Sequence, residues 1–375
     1  MSFRIAALVA FISGAAALAH QLLWVRRLVD LLGANAGTFS KVIGAFFLGL
    51  AAGAWLASKW RPRQAWLGIA AAEAGVAALA GLLLLATPFA DRLHHSASTA
   101  AWMKWLLPLA VVTPPAILMG LVLPWMEPGL GAGRMVPIYA INTLGGVAGI
   151  LLTLLLALPA FGLNGTTFLA IGANLGAAAL ALAISRRAVD EEPAPEPDSA
   201  RAAFRPLSLA FVSGFLVLGS EVILQSQFSQ VTVNSHFSSG GVLCIVLLAL
   251  AASALLVPLL ARLGRRALPV ALGLAALGCA IEPAILILQQ GELRYLPYEL
   301  APSRYAWEMA RLVATTALPL LLPAGLLFPL LIHPATAPGR PHLGMLLAVN
   351  GLGGWLGAEF TQSVLAPAFG LWLSL

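Results

Sequence analysis

The order that most restricts what this chain can fold into is a duplication. Phe11, Ser13, Gly14, Leu18, Leu48, Leu50, Ala51 and Ala52 recur 200 residues later as Phe211, Ser213, Gly214, Leu218, Leu248, Leu250, Ala251 and Ala252. A second block recurs at 208: Asn142, Leu144, Gly145, Gly146, Gly149, Pro159, Phe161, Gly162 and Leu163 become Asn350, Leu352, Gly353, Gly354, Gly357, Pro367, Phe369, Gly370 and Leu371. Two copies of one unit imply two similar halves, each unable to bury its apolar face alone.

The unit is a membrane unit. Of the 375 residues, 60% are hydrophobic and 10% charged, with a mean hydropathy of +0.92. A soluble domain carries roughly 25% charged residues. Apolar runs near 3–24, 39–58, 65–87, 103–126, 137–159 and 165–185, then 207–226, 238–260, 267–290, 308–332 and 342–364, are each long enough to cross about 30 Å of hydrocarbon. The expectation is an all-α polytopic protein of about 11–12 transmembrane helices. The second copy reaches Leu375 just where a twelfth span would start. Ala17-Leu18-Ala19 resembles a signal-peptide cleavage site. The internal recurrence of that segment at Phe211–Leu218 favours a retained first span.

Between the copies, Asp190, Glu191, Glu192, Pro193, Pro195, Glu196, Pro197 and Asp198 form a charged, proline-rich stretch that cannot build a core. The chain divides into a first repeat at 1–185, a linker at 186–206 and a second repeat at 207–375. The net charge of +6 is confined to loops and sorts by side. Arg4, Lys59, Arg61, Arg63, Arg134, Arg186, Arg187, Arg201, Arg205, Arg262, Arg265, Arg266 and Arg340 outnumber the basic residues opposite. The positive-inside rule therefore puts the N-terminus and linker in the cytoplasm, in a bacterial inner membrane. Six spans per copy is an even number, so the repeats run parallel, as in major-facilitator proteins. No basic face with interleaved aromatics suggests nucleic acid. Cys244 and Cys279, the two cysteines, both fall in spans and offer neither a disulfide framework nor metal spacing. Asp91, His94 and His95 read as solvated loop residues rather than a metal site, so no metal and no cofactor is expected.

Polar groups in hydrocarbon cost a few kcal/mol and each needs a reason. Glu221 and Gln225 share a helix face, and the repeat sets His20 and Gln21 opposite Ser220 and Glu221. These residues read as a central ion or substrate site, with Glu221 titrating and His20 as its relay, or else as an interhelical clamp. Glu73 and Glu282 are further intramembrane acids, and Glu282 precedes Pro283, a broken-helix signal. Gly49 and Gly53, Gly145 and Gly149, and Gly353 and Gly357 have the spacing that lets helices approach closely. Asn142 and Asn350 open the last two of these stretches and read as packing residues. Gly291–Trp307, rich in tyrosine and charge, reads as an interfacial segment on the exported side and a place where a protein partner can dock.

The stretch GAAALAHQLLWVRRLVDLLG and the later IYAINTLGGVAGILL, with Glu73 between them, resemble the membrane domain of the fused major-facilitator/spermidine-synthase-like proteins. The resemblance covers most of residues 11–185 and, more faintly, the second copy. It implies a membrane module related to polyamine synthases. Two features depart from it. The family's first-span acid is Gln21 here, while the second copy keeps Glu221, and nothing matches the soluble synthase domain with its Gly-rich nucleotide loop. Nor does the chain carry a nucleophile elbow, a Walker lysine loop or a zinc-protease helix. The reading is a transporter-like module. The alternative is a non-transporting subunit that anchors a catalytic partner at the cytoplasmic face or scaffolds a larger membrane complex.

Overall fold

The computed structural model describes residues 3–33, 36–97, 103–186, 200–233, 236–291, 294–297, 299–334, 336 and 341–371. Those residues form helices and short connections, with no strand among them. The first half holds α1 (Phe3–Leu32), α2 (Ala36–Lys59), α3 (Ala65–Ala97), α4 (Met103–Leu130), α5 (Met135–Leu152) and α6 (Leu158–Ser185). The second holds α7 (Ala200–Val231), α8 (His236–Leu260), α9 (Ala267–Gln290), α10 (Pro302–Ile332) and α11 (Leu343–Phe360). Ten helical stretches are long and apolar enough to cross a membrane, and one of them, Ala132–Ser185, has 54 residues. That stretch reverses at Gly162, whose φ of 62° is closed to most side chains. Met135 at its start and Ile184 at its end lie in the same apolar core. The described residues therefore cross eleven times.

Several boundaries exceed the hydropathy reading. α1 runs eight residues past 24, because Arg26, Arg27 and Asp30 continue the helix beyond the apolar run. α3 continues to Ala97, so Asp91, His94 and His95 sit on a helix rather than in a loop. Most of the expected linker, 187–199, lies outside the described residues. Its last part is helical: α7 begins at Ala200, where Ala200, Ala202 and Ala203 favour helix ahead of Pro206.

The duplication is visible in the contacts. Asn142 Nδ2 donates to the Ala10 carbonyl at 2.9 Å, and Asn350 Nδ2 donates to the Ala210 carbonyl at 2.9 Å. A Cβ at Gly145 would overlap the Phe11 carbonyl, and one at Gly353 the Phe211 carbonyl. A short π-helical turn, Thr153–Ala157, follows α5, and its counterpart Thr361–Leu365 follows α11. Gly162 and Gly370 close these segments with matching dihedrals, φ 62° and ψ −172° against φ 73° and ψ 168°. The α1–α5 and α7–α11 pairs are thus one device used twice. An asparagine inside one helix satisfies a backbone carbonyl of the other, and glycines remove the side chains that would hold the backbones apart. Gly49 and Gly53 do the same for α2 against α4, where added methyls would meet Ala116, Thr113 and Ile117.

The cores are distributed unevenly between the two faces. At the face bearing the N-terminus, a single apolar cluster joins both halves. Val9, Trp66, Met126 and Ile138 of the first half pack in it with Val257, Phe328, Leu331 and Leu346 of the second. Tyr139 and Phe328 meet there, ring centroids 5.6 Å apart. At the opposite face the cores separate. Trp24, Leu28, Phe46 and Val112 belong to the first half alone, and Phe228, Val246, Leu286 and Val313 to the second alone.

Candidate functional site

α1 presents three faces, and the fate of each polar residue follows from the one it occupies. Phe11, Gly14, Ala15 and Leu18 lie against α5. Trp24, Val25 and Leu28 pack on α2 and α4. Between these and α5, His20 and Arg27 turn toward α6. His20 and Gln21 are adjacent in sequence, but successive helical residues point about 100° apart. They therefore enter different environments.

His20 is fully buried inside its own half. Its Nε2 pairs with Asn174 Oδ1 at 2.9 Å, and Asn174 Nδ2 donates to Glu73 Oε2 at 2.6 Å. Ser13 also hydrogen-bonds Glu73. This string joins α1, α6 and α3. Asn174 donates through its nitrogen and so accepts through its oxygen, which requires the His20 proton on Nε2. His20 also stacks on Trp24, centroids 5.2 Å apart. His20 Nδ1 and Glu73 Oε1 remain buried without partners. The expected relay from Glu221 to His20 is not what the structure shows, because the imidazole bonds Asn174, which in turn bonds Glu73. Nearer the opposite face, Arg27 continues the α1–α6 polar seam, donating to Asn164 Oδ1 at 2.7 Å.

The second half has its own buried acid. Glu282 of α9 is fully buried and lies 3.5 Å from Gln227 Nε2 of α7, which also approaches the Leu371 carbonyl at 3.4 Å. Gln225 is tied to α8, its Nε2 donating to the Ser239 carbonyl at 3.0 Å. Gln21 and Glu221, equivalent under the repeat, differ from all of these. Each is buried, 4% and 7% exposed, and neither side chain has a hydrogen-bond partner among the described residues. Their neighbours place them beside the seam between halves. Leu18 and Leu22 of α1 pack with Leu243 and Cys244 of α8, and Leu218 and Val222 of α7 pack with Ile43 and Phe47 of α2. Of the six candidates, then, His20 and Glu73 form one cluster. Glu282 joins Gln227 and Gln225 joins α8, while Gln21 and Glu221 stay free near the interface.

Contacts between halves close the amino-terminal face. Arg61, on the α2–α3 connection, places Nη2 3.0 Å from Nδ1 of His342, which precedes α11. Glu127, near the end of α4, accepts from the Leu343 backbone N–H at 3.1 Å. A carboxylate at the start of a helix satisfies an orphan donor and complements the helix dipole. Toward the other face the halves also touch, with Leu154 packed against Leu243 and Cys244 of α8 and the Ser40 hydroxyl 3.5 Å from Glu359 Oε1. Lys41 lies over the Trp105 ring, 4.4 Å from its centroid. The Gly291–Trp307 segment is pinned to the end of α7: Leu296 N–H donates to the Val231 carbonyl at 2.7 Å, and the Tyr305 hydroxyl accepts from Val233 N–H at 2.8 Å. Glu292 and Tyr298 lie outside the described residues. Asn174, Glu127 and His342 were not singled out in the sequence, and Arg61 entered it only as one of the basic residues that set the orientation.

No protein-family model matches the chain, and no curated protein matches it. Solved structures do. A bacterial homologue of the iron transporter ferroportin, in an outward-facing state with soaked iron, matches with a TM-score of 0.58 and 14% identity, over 100% of this chain and 96% of that one. The same kind of homologue in an outward-facing state matches with a TM-score of 0.61 and 12% identity, over 99% and 95%. At such identities the likeness establishes the fold. It is an all-helical architecture among the described residues, with helices long and apolar enough to cross a membrane.

Proposed function

We propose that this protein is a secondary transporter that rocks its two halves about a central site containing Gln21 and Glu221, and that it carries a small cation or organic amine. The supporting observation is the split of the cores: one shared core at the amino-terminal face, two separate ones at the other. A rigid-body closure of the separated face, with release of the shared one, is the motion such packing allows. With the N-terminus in the cytoplasm, as the distribution of Lys and Arg suggests, this arrangement faces outward.

The chemistry near the seam favours a positive charge. Glu221 supplies a carboxylate with no partner, and Gln21 an amide oxygen that is buried and unpaired. Both are hydrogen-bond acceptors or cation ligands, and an unpaired buried charge is costly until something neutralises it. The resemblance to polyamine-synthase membrane modules suggests a polyamine, and the likeness to bacterial homologues of the iron transporter ferroportin suggests a metal cation. Proteoliposomes loaded with protein and given labelled spermidine or ferrous iron should accumulate one of them. Glu221→Gln should lower that flux at least about tenfold, the loss of one charge-assisted contact. Equal flux of both cations with and without protein would remove the cation reading.

The closing contacts give a second expectation. Glu127→Ala removes the acceptor for Leu343 N–H, a capping contact worth about 1 kcal/mol. Cysteine labels on the amino-terminal face should react roughly fivefold faster in that variant, and an unchanged rate would show that Glu127 does not hold the face shut.

A further inference from the structure

The Arg61–His342 contact has a stereochemical requirement. A guanidinium carries five N–H donors and no acceptor. The His342 Nδ1 atom 3.0 Å from Arg61 Nη2 must therefore accept. An imidazole accepts only when neutral, with its proton on Nε2. Protonation would turn Nδ1 into a donor aimed at a donor and set two cations side by side.

We propose that Arg61 and His342 form a proton-sensitive latch between the halves, closed while His342 is neutral and released when it binds a proton. The latch sits where release matters. Arg61 belongs to the first half and His342 leads directly into α11 of the second, one residue before the N–H that Glu127 holds. Both side chains are half-buried, so solvent protons reach the ring. Other charged or titratable groups surround this corner. Lys59 and Arg63 flank Arg61 on the same connection, Glu127 comes from α4, and His333 closes α10 ahead of the loop that leads to His342. Glu127 accepts from the backbone of Leu343, and the Arg61 guanidinium is the donor that lies 3.0 Å from Nδ1. Histidine is the side chain that changes charge between about pH 5 and 8. Acidification at the amino-terminal face is thus the signal, and opening of that face the response. In a transporter this would couple release on that side to local proton concentration. The inference rests on the reading that the halves move.

The test uses single-molecule fluorescence in nanodiscs, with dyes at Gln64 in the first half and Arg266 in the second and with Cys244 and Cys279 replaced by alanine. The wild-type closed-to-open ratio should fall roughly tenfold between about pH 8 and about pH 5.5. His342→Gln, whose side-chain oxygen accepts at every pH, should stay closed at both. Arg61→Ala should be more open and indifferent to pH. A His342→Gln variant that follows the wild-type pH response would overturn the latch while leaving the transporter reading intact. A dye distance that stays fixed in the wild type, in Arg61→Ala and in Glu127→Ala would overturn both.

Discussion

A leucine at Gly145 should abolish the folded protein, and so should a leucine at Gly353. Each glycine lies where α5 or α11 touches the backbone of its partner, and a single added carbon would already overlap the carbonyl of Phe11 or Phe211. These obstacles are main chain, so no rotamer relieves them. The helices must separate, which also breaks the Asn142–Ala10 and Asn350–Ala210 bonds. Overpacking a core costs about 1–3 kcal/mol when side chains can adjust, and more when they cannot. Loss of more than about 3 kcal/mol would consume much of the stability of an ordinary protein. Gly172→Leu and Gly176→Leu serve as controls, since nothing lies within 4 Å of a Cβ at either place. Fluorescence-detected size exclusion should show a monodisperse peak for the controls and its loss for Gly145→Leu and Gly353→Leu. A normal peak for Gly145→Leu would mean that α1 and α5 are not packed as described.

Asn174→Leu should destabilise the first half by about 3–5 kcal/mol, the cost of breaking a buried charged or polar network by removing one partner. Asn174 is the only described residue that bonds both His20 and Glu73. Its loss strands a ring N–H at a residue with 0% exposure and removes one of the two hydrogen bonds to a carboxylate at one with 1%. His20 Nδ1 and Glu73 Oε1 are already unpaired, and of the two residues only Glu73 keeps another partner, Ser13. The same reasoning predicts recovery. The triple variant His20→Phe, Glu73→Leu, Asn174→Leu removes the whole string and should regain most of the loss, because an apolar replacement of a buried polar group is often neutral or better. Thermal unfolding in detergent compares the three proteins. A triple variant less stable than Asn174→Leu alone would show that the string contributes net stability.

The repeat in the sequence revealed more about the fold than hydropathy did. Offsets of 200 and 208 mark the positions where α5 meets α1 and α11 meets α7, because glycine and asparagine at helix crossings have few acceptable substitutes. The matched π-helical turns and the positive-φ glycines Gly162 and Gly370 follow the second offset. The candidate site was less legible. Adjacency suggested that His20 and Gln21 act together, yet one residue of helix rotation sends the first to α6 and leaves the second near the seam. Nothing in the Gly- and Ala-rich run around Asn174 marks it as the residue between His20 and Glu73. The Glu127–Leu343 bond joins positions 216 apart across the two copies, so no local pattern could announce it.

The central claim is that the two halves move about a middle site. The most direct measurement is a pair of electron–electron distance distributions in nanodiscs, from spin labels that bridge the halves at each face. Gln64 with Arg266 reports the amino-terminal face, and Arg26 with Ser229 the other. One short, narrow distance is expected at the amino-terminal face and a longer, broader one opposite. Arg61→Ala and Glu127→Ala should lengthen the first while shortening the second. Distances that stay fixed at both faces in every variant would contradict this motion and leave a rigid membrane scaffold.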